Sequence, residues 1–185
     1  MRQLGFPNPD GLFDTYDDAK GAALYKTFVK NATWHTPTLA LLHSFLADQA
    51  RARRMEYMQD LSPDEFDKWT ARIGALLERY KRLVGDMHRA GVEFLAGTDS
   101  GPHTPVPPGT GLHDELELLV ESGFTPMEAL QTATRNPARY LGKLQEMGTL
   151  EVGKAADLVL LDANPLNDIL NTRKIRMVVL RGRII

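Results

Sequence analysis

Carboxylates, imidazoles and hydroxyls are the side chains in this sequence equipped for chemistry, and their spacing narrows what they can do. The sharpest signal is Asp99 in Gly97-Thr98-Asp99-Ser100-Gly101, directly after the apolar run Val92-Glu93-Phe94-Leu95-Ala96. In parallel α/β architectures, side chains at the C-terminal ends of strands face the active-site mouth. A carboxylate there serves as a metal ligand, a general base or a helix N-cap, and the motif leaves all three open. Ser100 lacks the Gly-x-Ser-x-Gly elbow of an α/β-hydrolase nucleophile. The five histidines (His35, His43, His88, His103 and His113) form neither His-x-His nor His-x-x-x-His, so no local metal pair is visible. His35 on a proposed strand, and His103 and His113 flanking the loop after Asp99, are candidates to line a pocket. His88 falls near the end of a long helix, where the macrodipole favours a cation in a structural role. His43 begins a helix and is expected to be exposed. The glycines at 109 and 111 lack the spacing and the Lys-Ser/Thr ending of a phosphate cradle.

These groups must be positioned by elements that the sequence marks. Residues 16–30 have helical spacing and stop at Asn31. Residues 33–41 are rich in β-branched and aromatic types, which predicts a short strand interrupted or ended by Pro37. Residues 42–58 are expected to form one helix. Ser62-Pro63-Asp64-Glu65 is a capping-box start, and apolar residues from Phe66 to Met87 keep the 3–4 spacing of one buried stripe up to a stop at Gly91. Residues 92–97 are a buried strand, followed by a Pro/Gly-rich loop over 102–111 and a helix over 112–121. Thr125-Pro126-Met127-Glu128 repeats the capping-box start, and Asn136-Pro137 opens a further short turn. From Gly148 onward, short β-type runs at 148–150, 157–161 and 177–180 alternate with turns, the texture of a small sheet. Asp157 is expected to tie down backbone amides where the chain enters one of these strands.

Composition sets wide limits. The 185 residues are 43% hydrophobic and 25% charged, enough to bury a core. A net charge of -2 with both signs mixed along the chain argues against a nucleic-acid partner, and the Arg51, Arg53, Arg54 cluster is expected on a solvated helix face. The absence of cysteine removes disulfides, thiolate metal sites and cysteine nucleophiles. No run of about 18 apolar residues is present to cross a membrane. The first nine residues read as a loop and lack the apolar core of a signal peptide.

Four segments together resemble a known family. Gly97-Thr98-Asp99-Ser100-Gly101 resembles the eighth-strand motif of the amidohydrolase superfamily. Thr125-Pro126-Met127-Glu128-Ala129-Leu130 and Ala133-Thr134-Arg135-Asn136-Pro137-Ala138 are similar to its closing helices. The segment from Gly148 to Val159 resembles the return of the chain into that superfamily's small β-sandwich, and residues 34–39 resemble strand seven of its imidazolonepropionase-like and prolidase-like branch.

The resemblance implies an α/β fold: the C-terminal fragment of a TIM-like (β/α)8 barrel over 1–147, carrying strands seven and eight with their helices, and sandwich strands over 148–185. It further implies a hydrolase that cleaves amide-type bonds in small-molecule or dipeptide-like substrates with a divalent metal, zinc being expected, in the complete enzyme. Asp99 takes the strand-eight position, which contacts both the metal and its activated water and accepts that water's proton. His103 and His113 are the candidates for substrate contact. The ligands such enzymes place on strands one, four, five and six have no match here, so no metal is expected to bind this chain alone. The alternative is a catalytically inactive scaffold, or a partial chain that works only with a missing N-terminal half. Two barrel strands by themselves would also leave backbone groups open at their outer edges.

Overall fold

The computed structural model describes residues 16–185, so the expected opening loop lies outside the described residues. Helix α1 (Asp18–Lys30) begins at Asp17, whose side chain accepts the Lys20 N–H, and ends at Asn31 as its sequence indicates. Strand β1 (Trp34–His35) follows, shorter than the apolar run suggested. Pro37 supplies no N–H to extend a ladder, and Thr38 turns the backbone into the left-handed region at φ 50°.

The segment expected as one helix over 42–58 is instead broken into α2 (Leu39–Ala47), α3 (Gln49–Arg53) and a 3-10 turn (Glu56–Met58). Asp48 causes the first break: its carboxylate accepts the Arg51 N–H at 2.8 Å and so starts a new helix. Helix α4 (Pro63–Arg89) carries the full capping box between Ser62 and Glu65. Its buried stripe (Phe66, Trp69, Ile73, Leu77, Val84, Met87) follows the expected spacing. The first half packs with Phe45, Ala52 and Met58, and the second with Leu39, Phe94 and Leu119. Arg53 lies over the Phe66 ring at 4.1 Å, so the basic cluster is partly packed and not wholly solvated.

Strand β2 (Glu93–Phe94) pairs parallel with β1, Trp34 opposite Glu93 and His35 opposite Phe94, with Leu95 N–H extending the ladder to His35 O. Helices α2 to α4 thus form the crossover of a parallel β-helix-β unit. Helices α5 (Gly111–Glu121), α6 (Pro126–Thr132) and α7 (Arg135–Tyr140) follow, α6 with its own capping box at Thr125 and Glu128.

The outer edge of β2 is not left open. On a strand, alternate residues direct their N–H and C=O to opposite edges. Leu95 faces β1, so Phe94 and Ala96 face away. Phe94 O accepts from Asn136 Nδ2 at 3.0 Å, and Ala96 N–H donates to Thr132 O at 3.0 Å. These are the two contacts that one residue of a neighbouring parallel strand would make. Here the α6–α7 segment makes them, with Thr132 and Asn136 both buried. At the opposite end of the pair, Arg139 bonds Glu93 and covers the Trp34 ring at 4.6 Å, so one side chain ties α7 to both strands.

The C-terminal segment is a three-stranded antiparallel sheet of β3 (Leu158–Leu161), β4 (Ile175–Leu180) and β5 (Arg183–Ile184). Residues 148–150 do not join it. Thr149 and Lys154 both bond the Glu151 carboxylate, a local arrangement that makes a turn. Asp157 does hold a backbone amide, that of Arg181, at 2.6 Å in the β4–β5 turn. A second 3-10 turn (Ile169–Arg173) docks this segment on α5, with Ile169 in the main core. Val159, Leu160, Ile175 and Ile184 stay exposed on the sheet.

Asn136→Ala removes the donor to a buried carbonyl on β2 and is expected to destabilise the chain by about 1–3 kcal/mol. In a 185-residue protein this lowers Tm by about 2–12 °C. A Tm unchanged within about 1 °C would show that α7 does not secure the strand.

Candidate active site

The loops leaving β1 and β2 sit side by side. Gly97 has no room for a side chain, because a Cβ there would collide with Thr36 Cγ2. Thr36 therefore lies directly against the segment that leads into Asp99. On the other flank, a Cβ on Gly111 would collide with Val106 Cγ1 and touch Thr98 at 3.7 Å. The Asp99 loop is thus wedged between the β1 exit and the first turn of α5.

Asp99 is exposed, at the C-terminal end of β2, and its backbone is left-handed at φ 54°. Asp tolerates that region better than most residues because its short polar side chain bonds locally. The loop that follows is held by its own hydroxyls. Thr104 Oγ1 lies 3.0 Å from Asp99 O and accepts the Gly101 N–H at 3.0 Å. Ser100 Oγ donates to Val106 O at 3.2 Å, and its N–H reaches Thr98 Oγ1 at 3.3 Å. Val106 is fully buried and anchors the arrangement. Ser100 and Thr104 therefore hold the loop while the Asp99 carboxylate is presented to solvent. Asp99 is not the N-cap of a helix: α5 begins twelve residues later, after Thr110.

The histidines fall in different places. His103 is exposed in the same loop as Asp99. His113 lies in the first turn of α5, half-buried, with Nδ1 3.0 Å from Thr172 Oγ1; burial, and then the nearby Arg173 guanidinium, pull its pKa down. Arg173 itself bridges Asp114 and Glu117 at 2.7 and 3.1 Å, so this patch joins α5 to the C-terminal segment. His35 packs edge-on against Phe94, and burial lowers its pKa. His43 is half-buried, and its Nδ1 is buried without a partner among the described residues, contrary to the exposed position expected at a helix start. Its place follows from α2 beginning at Leu39, which turns residue 43 towards the packed face. His88 stacks on Phe124 at 3.8 Å with Nε2 3.5 Å from Glu128, in the last turn of α4.

No three His, Asp or Glu side chains gather into a metal-holding group among the described residues. Asp99 can supply one carboxylate to a metal, but these residues alone do not make a site that fits one. None of the described helices is long and apolar enough to cross a membrane.

Glu115 is the residue that the sequence reading missed. Its carboxyl is completely buried, and Oε2 accepts the Ala40 N–H at 2.7 Å. Burial pushes its pKa up to about 7, against the opposing effect of the Ala40, Leu39 and Thr38 amides. A signal was present: positions 111, 115, 116, 118, 119 and 122 are the buried positions of α5 and its end, and Glu115 is the acidic residue among them.

Comparison with known proteins agrees with this architecture. The model of the amidohydrolase family matches residues 29–185. Ochratoxinase from Aspergillus niger is 36% identical over 105 residues, covering 56% of this chain and 20% of that protein. Imidazolonepropionase from Maricaulis maris is 44% identical over 89 residues, covering 48% and 22%. Among solved structures, a Xaa-Pro dipeptidase with bound methionine superposes at TM-score 0.66 with 23% identity, over 87% of this chain and 36% of that one. The crystal structure of A. niger ochratoxinase superposes at TM-score 0.62 with 25% identity, over 88% and 34%. The chain thus spans roughly a fifth to two-fifths of the relatives it matches. Its fold is a two-stranded portion of the TIM-barrel-like architecture, without a closed barrel among the described residues. The chain belongs to the amidohydrolase family, whose members are metal-dependent hydrolases as a class.

The raised pKa of Glu115 gives a pH dependence of definite sign. Between 4.5, the unfolded value, and about 7, the folded chain holds a proton that the unfolded chain has released. The stability contributed by Glu115 is therefore complete below the lower value and is lost as pH rises through the upper one. A shift of this size corresponds to about 3 kcal/mol. His35 and His113, lowered by burial, act in the opposite direction. The difference in unfolding free energy between the wild type and Glu115→Gln should thus decline across that window. A difference independent of pH would contradict the raised value.

Proposed function

We propose that this chain forms the strand-seven and strand-eight portion of a metal-dependent hydrolase that cleaves amide-type carbon–nitrogen bonds in small molecules, dipeptide-like ones included. In this reading residues 1–147 belong to the barrel and residues 148–185 to its small β-sandwich. The observation that carries it is the Asp99 carboxylate, presented to solvent at the C-terminal end of β2 on a loop held by Thr104 and Ser100. Barrel enzymes do their chemistry at that end of the strands. The name of one structural relative, a Xaa-Pro dipeptidase, supports the bond class.

Asp99 acts as general base. As the oxygen of the attacking water bonds to the amide carbon, its proton passes to the Asp99 carboxylate. As the carbon–nitrogen bond breaks, Asp99 donates that proton to the leaving nitrogen, giving an acid and an amine and restoring the carboxylate. A divalent metal, zinc by expectation, supplies water acidified towards neutrality when bound. Asp99 is the one ligand proposed from this chain. His103, exposed beside Asp99, is the proposed substrate contact from the loop. His113 has Nδ1 committed to Thr172, which leaves Nε2 for that purpose.

The second reading, a chain inactive by itself, is favoured by the lack of a three-ligand group among the described residues. The two readings agree on one outcome: the isolated chain should retain no stoichiometric zinc after dialysis, measured by elemental analysis. About one zinc per chain would contradict both, since catalytic zinc takes three protein ligands. A second measurement tests the role of Asp99. In the active enzyme containing this chain, Asp99→Asn should leave fold and metal content nearly intact and lower kcat by about 10²–10⁴. A loss below about tenfold would make Asp99 a turn residue, because Asn and Asp are equivalent in such places.

A further inference from the structure

We propose that Glu115 is a positioning residue: its carboxylate clasps the amides that open α2 and so fixes the β1-exit loop against the loop that presents Asp99. This rests on Asp99 as the base and adds the device that holds it in place.

The observations form a closed circuit. Helix α2 has no cap of its own, since Thr38 is left-handed and makes no side-chain cap bond. Buried donors at a helix start require an acceptor. Glu115 supplies it from 75 residues away, at 2.7 Å from Ala40 N and with the Leu39 and Thr38 amides also acting on it. Glu115 stands one turn into α5, whose first residue, Gly111, packs against Thr98 and Val106. The amides it binds stand just after Thr36, which packs against Gly97. One carboxylate therefore spans the two loops that meet beside Asp99. A leucine would fill the same buried stripe and contribute more hydrophobic burial, but it could not accept those amides.

The clasp is also titratable. Glu115 Oε1 is buried without a partner among the described residues, so one oxygen is unsatisfied in either protonation state. The effects that act on the carboxyl are burial and three backbone amides, with no charged side chain among them. The charged and titratable groups on the elements packed against α5 are otherwise engaged or elsewhere. Lys81 on α4 pairs with Glu78 and Glu121, Arg173 on the 3-10 turn with Asp114 and Glu117, and Glu128 at α6 with His88. His43 on α2 and His113 on α5 are the remaining imidazoles on the paired helices.

The test is an NMR pH titration of the full chain from about pH 5 to about pH 9, with neither metal nor substrate added. The Glu115 carboxyl carbon is followed together with the amides of Leu39, Ala40, Gly97 and Thr98. All should share one midpoint near 7. In Glu115→Gln the four amides should lose that inflection. A Glu115 carboxyl that does not titrate near neutrality would overturn the proposal. So would Leu39 and Ala40 titrating while Gly97 and Thr98 stay still, which is how a simple helix cap behaves. If the Gln variant fails to fold, the wild-type titration decides alone. No turnover is measured, so a negative result here leaves the Asp99 reading intact, and failure of that reading leaves this result legible.

Discussion

A parallel strand directs backbone donors and acceptors to both of its edges, and both edges must find partners for the strand to hold its line. Strand β2 satisfies one edge with β1 and the other with Thr132 O and Asn136 Nδ2. Everything at the site depends on that pair of edges. If either is lost, residues 95–98 have no fixed direction, and Asp99 has no fixed place at their end. The helices after β2 are therefore more than a hydrophobic cover. They return to complete the strand that launched them.

The two strand exits share a further constraint. Four non-glycine residues among those described have positive φ, and two of them, Thr38 and Asp99, lie in these loops. Left-handed backbone at a β-branched residue costs free energy and persists where the surroundings over-determine it. At Thr38 the surroundings are Glu115 and the start of α2; at Asp99 they are Thr104, Ser100 and the close approach of Thr36 to Gly97. Strain and its compensation are thus placed around one carboxylate. At the other end of the strand pair, Arg139 joins both strands through Glu93 and Trp34.

Much of this could be read from the sequence, for local reasons. Both capping boxes, at Ser62 and Thr125, appeared where their residue patterns placed them, because caps are set within four residues. The stripe of α4 and the position of Asp99 after a buried strand were legible for the same reason. What failed depended on competition or on distance. Asp48 broke a helix that propensity favoured, and Glu151 gathered Thr149 and Lys154 into a turn where β-type residues suggested a strand. The closure of the β2 edge by Asn136, 42 residues away, and the clasp of Glu115, 75 residues away, have no local pattern. Only a carboxylate in an apolar stripe hinted at the second.

The central claim is that the Asp99 carboxylate meets the water that attacks the scissile bond. The most direct measurement is a crystal structure of the proposed hydrolase containing this chain, with a phosphonate mimic of the tetrahedral intermediate bound. One phosphonate oxygen stands for that water. An Asp99 carboxylate oxygen is expected at about 2.6–3.2 Å from it. An Asp99 side chain turned away, beyond about 5 Å with no bridging water, would contradict the account.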